Sequence, residues 1–373
     1  MRVLHISCVA PPVGGGIGAV ADLEVRMLRQ KGVEAWLATP ANKKNQNAEQ
    51  EYIINLPMAW HFGNAGRLKG LDKLIKDADI VHLHYPFYGT ANYLAKLKRQ
   101  GKIKKLVLTL HMDAVSSGLK GLIFNLHRQF IQPGILAVAD RLFVSSLDYA
   151  RHSSFSSLAN NHCHRLSKLP FGVNSDIFTL GDKQNKKFNI PSDAFVVGTV
   201  SVMDSAHPFK GVDILIHSAQ HLPQNVHFLL VGEGNLRPAY ERLVQDYNLS
   251  DRFHFTGRLS NQGIVQAYQT MDVFAFPSTS RAEAFGLALL EAMSCGVAPV
   301  ASNLPGVRIL AQDSGLLVEP GNVQQLKDAL LEFVKNPNKL KRAQESARQK
   351  ALTYAWDGHV KLLINYYQSL CAS

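Results

Sequence analysis

The 373-residue chain lacks the features that mark secreted, membrane-spanning and disulfide-bonded proteins. Its four cysteines, Cys8, Cys163, Cys295 and Cys371, are scattered without a CxxC pair, which argues against a disulfide framework or a cysteine zinc site. No apolar run reaches the roughly 20 residues that a membrane-spanning helix needs. The N-terminal residues lack the length and cleavage site of a secretory signal. We therefore expect a cytoplasmic protein with free thiols.

Acidic residues are scarce in the first half of the chain only. Residues 1–172 contain 22 Lys and Arg but 11 Asp and Glu, whereas residues 173–373 contain 18 of each, so the net charge of +11 belongs to the first half. Such an excess is typical of a solvated basic surface. The alternative is a first domain that meets an anionic partner, either a phosphorylated acceptor or an acidic membrane face. No recognised motif points to nucleic acid as a partner.

Short apolar runs alternate with amphipathic helical patterns through both halves, which is typical of parallel sheets covered by helices. We expect an α/β fold of two Rossmann-like doubly wound domains that face a central cleft, with ligands at the carboxyl ends of the strands. The first domain is predicted at residues 1–178, joined by a C-terminal helix at 356–373, and the second at 192–355. The predicted strands are 3–7, 35–39, 80–84, 106–111, 142–145, 195–200, 227–231, 253–256, 273–276 and 298–301.

The most specific motif is a pair of glutamates, Glu283 and Glu291, after the strand predicted at 273–276. We expect a helix to begin near Ala284, and eight residues of helix span about 12 Å. That length suits a nucleotide sugar, with one carboxylate at the sugar hydroxyls, the other at the ribose, and free helix-start amides at the diphosphate. The alternative is an ordinary amphipathic helix with two exposed glutamates. The predicted donor-binding residues here are Glu283, Ala284, Phe285, Gly286, Leu287 and Glu291.

A lysine follows the strand predicted at 195–200. Lys210, in the segment His207-Pro-Phe-Lys-Gly211, is expected near the carboxyl end of that strand and close to the diphosphate. An ammonium group there neutralises the charge that develops on a departing phosphate. The alternative is a surface lysine before a helix.

A glycine loop, Gly14, Gly15 and Gly16, follows the first predicted strand. Glycines let backbone amides close on a phosphate or a sugar. The spacing also fits the dinucleotide fingerprint, which requires an acid at the end of the second strand. That strand ends in Thr39-Pro40 without a carboxylate, so a nicotinamide-dependent oxidoreductase is only an alternative.

Three polar side chains stand at predicted strand ends in the first half. His84 ends one strand, His111 ends the next, and Asp113 follows two residues later. Strand ends of a doubly wound sheet face the ligand, so all three are site candidates, although a lone strand-end histidine is usually structural. We predict no required metal.

These motifs together resemble the retaining glycosyltransferases of family 4, which have the two-domain GT-B architecture. The resemblance implies that Glu283 contacts sugar hydroxyls, Glu291 holds the ribose and Lys210 binds the diphosphate. An arginine usually stands a few residues before that lysine, but residues 201–203 offer none, and His207 is a candidate replacement. The family also implies roles for further segments: Gly232 and Glu233 near the base, His111 beside the transferred sugar, and Gly15 and Gly16 at phosphate and acceptor. From their positions after the strands, we assign Gly14, His84 and Asp113 to the acceptor side.

The resemblance implies retaining transfer of a hexose from GDP-mannose or a UDP-hexose to the hydroxyl of a saccharide or lipid-linked acceptor, in surface polysaccharide or glycoconjugate synthesis, without a cofactor. His111, Lys210 and Glu283 are the expected catalytic residues. A non-catalytic sugar-nucleotide-binding protein of the same fold remains an alternative. The segments 67–76 and 118–130 mix basic and apolar residues at helical spacing. Peripheral attachment to the inner face of a membrane through residues 60–130 is therefore a hypothesis, beside the alternative of ordinary packed helices.

Overall fold

A computed structural model describes residues 1–11, 15–41, 50–63, 65–113, 118–161 and 163–372 of the chain. These residues divide into two compact units. Unit 1 consists of Met1–Phe171 with Asp357–Ser373, and unit 2 consists of Gly172–Trp356. The change of unit thus lies before the predicted domain end at 178, and residues 179–191, between the two predicted domains, belong to unit 2.

Unit 1 alternates strands and helices along the chain. A π-helical turn, His127–Ile131, interrupts its fourth helical segment. The elements are β1 Arg2–Ile6, α1 Gly16–Gln30, β2 Glu34–Pro40, β3 Ile53–Leu56, β4 Met58–Phe62, β5 Ala65–Leu68, α2 Leu71–Asp77, β6 Ile80–Tyr85, α3 Thr90–Arg99, β7 Lys105–Leu110, α4 Gly118–Leu126, α5 Gln132–Ala137, β8 Arg141–Val144, α6 Leu147–Arg151, α7 Ser156–Asn160 and β9 Leu166–Lys168.

Unit 2 repeats this alternation, and the chain then ends in a helix that returns to unit 1. Short 3₁₀ turns occur at Asn185–Phe188, Pro208–Lys210 and Ser250–Arg252. The elements are β10 Phe195–Val200, α8 Val212–Ala219, β11 Val226–Val231, α9 Arg237–Asp246, β12 Phe253–Gly257, α10 Asn261–Thr270, β13 Val273–Phe276, α11 Leu287–Ser294, β14 Ala298–Ser302, α12 Arg308–Ala311, β15 Leu316–Val318, α13 Val323–Lys335, α14 Pro337–Leu352 and α15 Trp356–Ala372.

Each unit is built on a parallel sheet with the same order of strands. The seven-stranded sheet of unit 1 runs β3-β2-β1-β6-β7-β8-β9, and the six-stranded sheet of unit 2 runs β12-β11-β10-β13-β14-β15. In both, the order reverses beside the first strand of the unit, which is the doubly wound arrangement that binds ligands beyond the carboxyl ends of the strands. The predicted α/β class with two doubly wound sheets is confirmed.

The C-terminal helix completes the core of unit 1. Val360, Leu363, Tyr367 and Leu370 of α15 are buried in one apolar cluster with side chains of β1, α1 and β2. α15, Trp356–Ala372, covers the residues of the predicted C-terminal helix. It is separate from α14 because the chain leaves the helical conformation at residues 353–355. A core assembled from both ends of the chain makes α15 an integral part of unit 1.

One prediction on local structure is wrong, and several short strands were not predicted. The basic stretch 67–76 is not one helix, because Arg67 lies in β5, which pairs with β4 as an antiparallel hairpin before α2 begins at Leu71. The hairpin strands and the edge strands β9 and β15 have only three to five residues each, which is too short for a clear hydrophobic pattern. Among the described residues, no helix is both long and apolar enough to cross a bilayer.

Candidate functional site

Two loops at the carboxyl edge of the sheet in unit 2 are fixed against each other. The first follows β10 and the second follows β13, and these strands are neighbours in the sheet. The backbone N–H of Thr279 donates to the carbonyl of Phe209 at 2.7 Å. A Cβ on Gly211 would lie 2.1 Å from the carbonyl oxygen of Pro277, and Gly211 has a φ of 71°. Glycine is thus required here for two reasons, since this approach leaves no room for a side chain and the backbone is left-handed.

This contact brings Lys210 to Glu283. The Lys210 Nζ donates to Glu283 Oε2 at 2.5 Å, and the two side chains are 22% and 12% exposed. The ammonium also lies over the rings of Phe209 and Phe276, at 5.7 and 5.6 Å from their centroids. A partly desolvated ion pair of this kind holds both charges at the edge of the sheet, where an anionic ligand can compete for the lysine.

The helix after Glu283 begins later than predicted. α11 starts at Leu287 rather than near Ala284, so Glu283 lies in the preceding loop and only Glu291 is on the helix. The cause is Gly286, whose left-handed φ of 94° ends the loop and begins the helix, a conformation that disfavours other residues. The amides without intrahelical acceptors therefore start at Leu287, and Ala284 and Phe285 are buried loop residues. The eight-residue helix still offers an N-terminus suited to an anion.

Glu291 is held in place by a tyrosine that the sequence did not reveal. The hydroxyl of Tyr268, on α10, donates to Glu291 Oε2 at 2.9 Å. Burial raises the pKa of Glu291 to about 7, and the hydrogen bond from Tyr268 opposes that rise. Because Tyr268 is distant in sequence and buried, its apolar helical pattern indicated only a core position.

The Gly232–Gly234 loop after β11 packs on the loop after β10. A Cβ on Gly232 would lie 1.8 Å from the carbonyl oxygen of Ser201, and its φ is 140°. The neighbouring carboxylate of Glu233 is exposed and accepts a hydrogen bond from Arg237 Nη1 at 2.8 Å, which lowers its pKa. The structure therefore places Gly232 at a close backbone approach and Glu233 at the surface.

His207, the candidate replacement for the missing arginine, pairs with an aspartate in its own loop. His207 Nδ1 lies 2.7 Å from Asp204 Oδ1. The loop at 201–211, all of it described, holds Lys210 and His207 but no arginine. The second cation of the family pattern is thus absent from this loop.

In unit 1 the glycine loop is described only in part, because Gly14 lies outside the described residues. Gly15 has a φ of 135° and caps α1, which begins at Gly16. A Cβ on Gly18, inside the first turn, would lie 2.7 Å from the carbonyl oxygen of Val9. The glycines therefore let the start of α1 approach the chain that leaves β1.

His111 and His84 lie together behind the carboxyl edge of the same sheet. Nδ1 of His84 lies 2.9 Å from Nε2 of His111, and the His111 ring stacks on Phe171 with centroids 5.1 Å apart. Burial, with repulsion from His359, lowers the pKa of His111 to about 3. Burial also lowers the pKa of His84 well below its ordinary value. Both rings are therefore neutral at physiological pH, and His84 is wholly buried.

Asp113 has a clear structural task. Its Oδ2 accepts the backbone N–H of Ser154 at 3.0 Å and its Oδ1 accepts the Ser154 hydroxyl at 2.5 Å. Its own N–H donates to the hydroxyl of Tyr149. With both oxygens engaged and 5% of the residue exposed, Asp113 holds the chain after β7 against the segment at residue 154.

A buried cluster of histidines and a glutamate behind His84 was not predicted from the sequence. His5, Glu24 and His82 are fully buried beside it, and their ligand atoms and that of His84 all lie within 4.8 Å of one another. Burial raises the pKa of Glu24. The available signal was Glu24 itself, which stands on the apolar face of α1 among Val20, Ala21, Val25 and Leu28.

Two family models match the chain. The model for glycosyl transferases group 1 matches residues 182–350, and the model for Glycosyltransferase Family 4 matches residues 14–153. D-inositol 3-phosphate glycosyltransferases of Mycobacteroides abscessus and Mycolicibacterium smegmatis are each 30% identical to the chain over 78% of its length. The chain belongs to the group 1 glycosyltransferases of family 4.

This glycosyltransferase spans 65% and 67% of the lengths of those two relatives. Phosphatidyl-myo-inositol mannosyltransferase of Mycobacterium leprae is 24% identical over 100% of this chain and 98% of its own. Among solved structures, sucrose-phosphate synthase of Thermosynechococcus elongatus aligns with a TM-score of 0.81 at 21% identity, over 100% of this chain and 99% of that one. Anabaena HepE in complex with UDP-glucose aligns with a TM-score of 0.76 at 18% identity, over 99% and 100%. These likenesses confirm the GT-B fold, and the family sets aside the nicotinamide-dependent alternative.

Proposed function

We propose that this glycosyltransferase transfers a hexose from a nucleotide-diphosphate sugar with retention of the anomeric configuration. The Lys210–Glu283 ion pair beside the start of α11 is the observation that carries the proposal. A pyrophosphate that takes the lysine releases the Glu283 carboxylate, which then accepts hydrogen bonds from the sugar hydroxyls. Donor binding is thus an exchange of partners at Lys210, in which the helix amides from Leu287 share the anionic charge.

The donor's other end is assigned to Glu291 and the loop after β11. Glu291, oriented by Tyr268, accepts the ribose hydroxyls, and the backbone at Gly232 and Glu233 lies along the base. Tyr268 fixes the carboxylate before the ligand arrives, which reduces the ordering cost of binding.

The transfer step is proposed to proceed on one face of the sugar. Asp113 has both oxygens engaged by Ser154, and Glu283, once released from Lys210, is assigned to the sugar hydroxyls, so neither is assigned as a covalent nucleophile. The bond to the diphosphate breaks, an oxocarbenium-like ion forms, and the acceptor hydroxyl attacks from the side that the phosphate leaves. Its proton passes to the departing phosphate oxygen. Lys210 and the helix start stabilise the developing charge without a divalent cation.

The donor is proposed to be GDP-mannose or a UDP-hexose, and the acceptor a saccharide or a lipid-linked hydroxyl in glycoconjugate synthesis. HepE binds UDP-glucose, and relatives are named for D-inositol 3-phosphate and phosphatidyl-myo-inositol. A phosphorylated acceptor is attracted by the basic first half of the chain, which holds the entire excess of positive charge.

A donor panel tests the function directly. We expect one UDP- or GDP-hexose to raise the melting temperature, since a ligand at 100 times its dissociation constant stabilises by about 2.7 kcal/mol. The same donor should release nucleotide diphosphate with an acceptor, at an unchanged rate in EDTA, and NMR of the product should show the donor's anomeric configuration. Binding without release would instead support the non-catalytic alternative, and an inverted product would contradict the one-face mechanism.

Peripheral attachment to an anionic membrane is a further part of the proposal. α4 and the π-helical turn expose apolar side chains at helical spacing, including Ile123, Leu126 and Phe130, the last of them 70% exposed. An amphipathic surface helix on a basic unit is suited to the boundary of an anionic bilayer. We expect Phe130→Ser to weaken sedimentation with phosphatidylglycerol vesicles at low salt. Ile177→Ser, at an exposed apolar position of unit 2, is the control, and equal loss in both variants would contradict the assignment.

A further inference from the structure

The buried cluster of unit 1 contains a carboxylate oxygen without a partner. Glu24 Oε2 has no hydrogen-bond donor among the described residues, although it is fully buried. It lies 3.6 Å from His5 Nδ1 and 3.7 Å from His84 Nε2. A buried carboxylate oxygen without a partner costs free energy. A cation between Glu24 Oε2 and the two ring nitrogens would remove that cost.

The three atoms have the spacing of metal ligands. His5 Nδ1 and His84 Nε2 lie 3.0 Å apart, which closes a triangle with Glu24 Oε2. The point equidistant from the corners of that triangle is about 2.0 Å from each, within the Zn–N and Zn–O range of about 2.0–2.2 Å. An ion at that point would lie at ligand distance from all three atoms.

The second ring nitrogens of His5 and His84 and the second oxygen of Glu24 have the partners that metal ligands need. His5 Nε2 lies 3.2 Å from the Tyr367 hydroxyl, His84 Nδ1 lies 2.9 Å from His111 Nε2, and Glu24 Oε1 lies 3.0 Å from His359 Nε2. A ligating histidine normally donates its other N–H to such an acceptor, which fixes the ring and its tautomer. The surrounding contacts therefore hold the two rings and the carboxylate in place from their outer sides.

A fourth ligand is available from the same strand as His84. His82 Nδ1 lies 4.0 Å from Glu24 Oε2 and now pairs with the Tyr367 hydroxyl. Turning that nitrogen inward completes a tetrahedral set of three imidazoles and one carboxylate. Imidazole and carboxylate ligands suit zinc among the common ions, whereas magnesium and calcium prefer oxygen.

We propose that His5, Glu24 and His84, with His82 as fourth ligand, bind a structural zinc ion inside unit 1. The ion joins β1, α1 and β6, and through His359 it also ties α15 to them. Since all four ligands are fully buried, it touches no substrate. The prediction that transfer needs no metal concerns the donor site of unit 2. Although His84 Nδ1 lies 2.9 Å from His111 Nε2, zinc content is measured independently of turnover, so the two proposals are tested separately.

Metal analysis of the purified full-length chain tests this site. After growth with added zinc and dialysis without chelator, the wild type is expected to retain about one zinc ion per chain. Glu24→Gln keeps the volume and an acceptor for His359 but removes the anionic ligand, and should lower the zinc content at least about fivefold. The matched control is His254→Gln. His227 Nδ1 and His254 Nε2 also lie 3.0 Å apart, but they belong to no group of three or more ligands among the described residues.

Refolding with Co²⁺ gives a second measurement on the wild type alone. We expect the visible absorption of a four-coordinate cobalt site, and a melting temperature that rises with added zinc. Wild-type chain that holds no zinc or cobalt, with an unchanged melting temperature, would overturn the proposal even if the Glu24 variant does not fold. A full equivalent of zinc in folded Glu24→Gln would also overturn it, because the ion would then lie elsewhere.

Discussion

The two units share one strand order but use their strand ends differently. In unit 2 the ends present charged groups that solvent reaches, since Lys210 and Glu283 form a partly exposed pair beside a helix start. In unit 1, His84 near the end of β6 is a neutral imidazole and is fully buried, as are His5 and His82 within their strands. The same fold therefore supports a ligand-exchange site in one unit and a sealed polar core in the other.

The difference shows that strand-end position alone does not identify a ligand site. His84 and Glu283 both follow the doubly wound rule, yet only the Glu283 carboxylate is accessible to a donor. His84 is wholly buried in unit 1, whose core includes side chains of α15, whereas the side chain of Glu283 is 12% exposed.

The largest expected effect comes from removing the exchangeable cation of unit 2. Lys210→Ala should lower turnover about 10²–10³-fold, because one preorganised charge at the leaving phosphate is lost. The fold should remain intact, as shown by circular dichroism. Lys183→Ala, which breaks a 2.6 Å pair with Asp272 in the same unit, is the control. An unchanged rate for Lys210→Ala would refute the role of the pair.

The second effect concerns the close approach that positions the lysine. Gly211→Ala should lower the free energy of unfolding by about 2–4 kcal/mol. The new Cβ would collide with the Pro277 carbonyl oxygen, and the backbone at residue 211 is left-handed. Gly321→Ala isolates the backbone contribution, because Gly321 has a φ of 79° with open space around it. Urea denaturation measures both. An equal loss of unfolding free energy in the two variants would mean that the loops after β10 and β13 are free to separate.

The third effect is a pH dependence specific to unit 2. The pKa of Glu291 in the folded state is raised from 4.5 to about 7. Protonation of Glu291 therefore stabilises the folded state, fully so below the pKa that Glu291 has in the unfolded chain. This stabilisation is lost as the pH rises through about 7. Between pH 5 and 8 the free energy of unfolding of the wild type should fall by about 1–3 kcal/mol relative to Glu291→Gln. Parallel pH curves for the two proteins would contradict the assigned pKa.

The smallest effect tests the sealed network of unit 1. Tyr367→Phe removes the hydroxyl between His5 and His82 and should cost about 1–2 kcal/mol through unpaired buried nitrogens. Tyr366→Phe, at the half-buried neighbour, should cost less. Thermal denaturation of the two variants compares them, and a reversed order would show that the network contributes little.

Local patterns predict the fold better than they predict the site. The strands at 195–200 and 273–276 were predicted with their observed bounds, because buried parallel strands are continuous apolar runs. The start of α11 was misplaced because the left-handed Gly286 is not distinguishable from a helical glycine by sequence. The Glu24–His359 contact joins residues 335 positions apart, which no short-range pattern reveals.

The return of α15 to unit 1 has a consequence for synthesis. As the chain leaves the ribosome, residues 1–171 emerge without the side chains of Val360, Leu363 and Tyr367 that fill their interior. Unit 2, whose residues are contiguous from 172 to 356, can complete its core first. The earlier-translated unit is therefore the later to mature, and nascent chains stalled before residue 356 should expose it to proteases or chaperones.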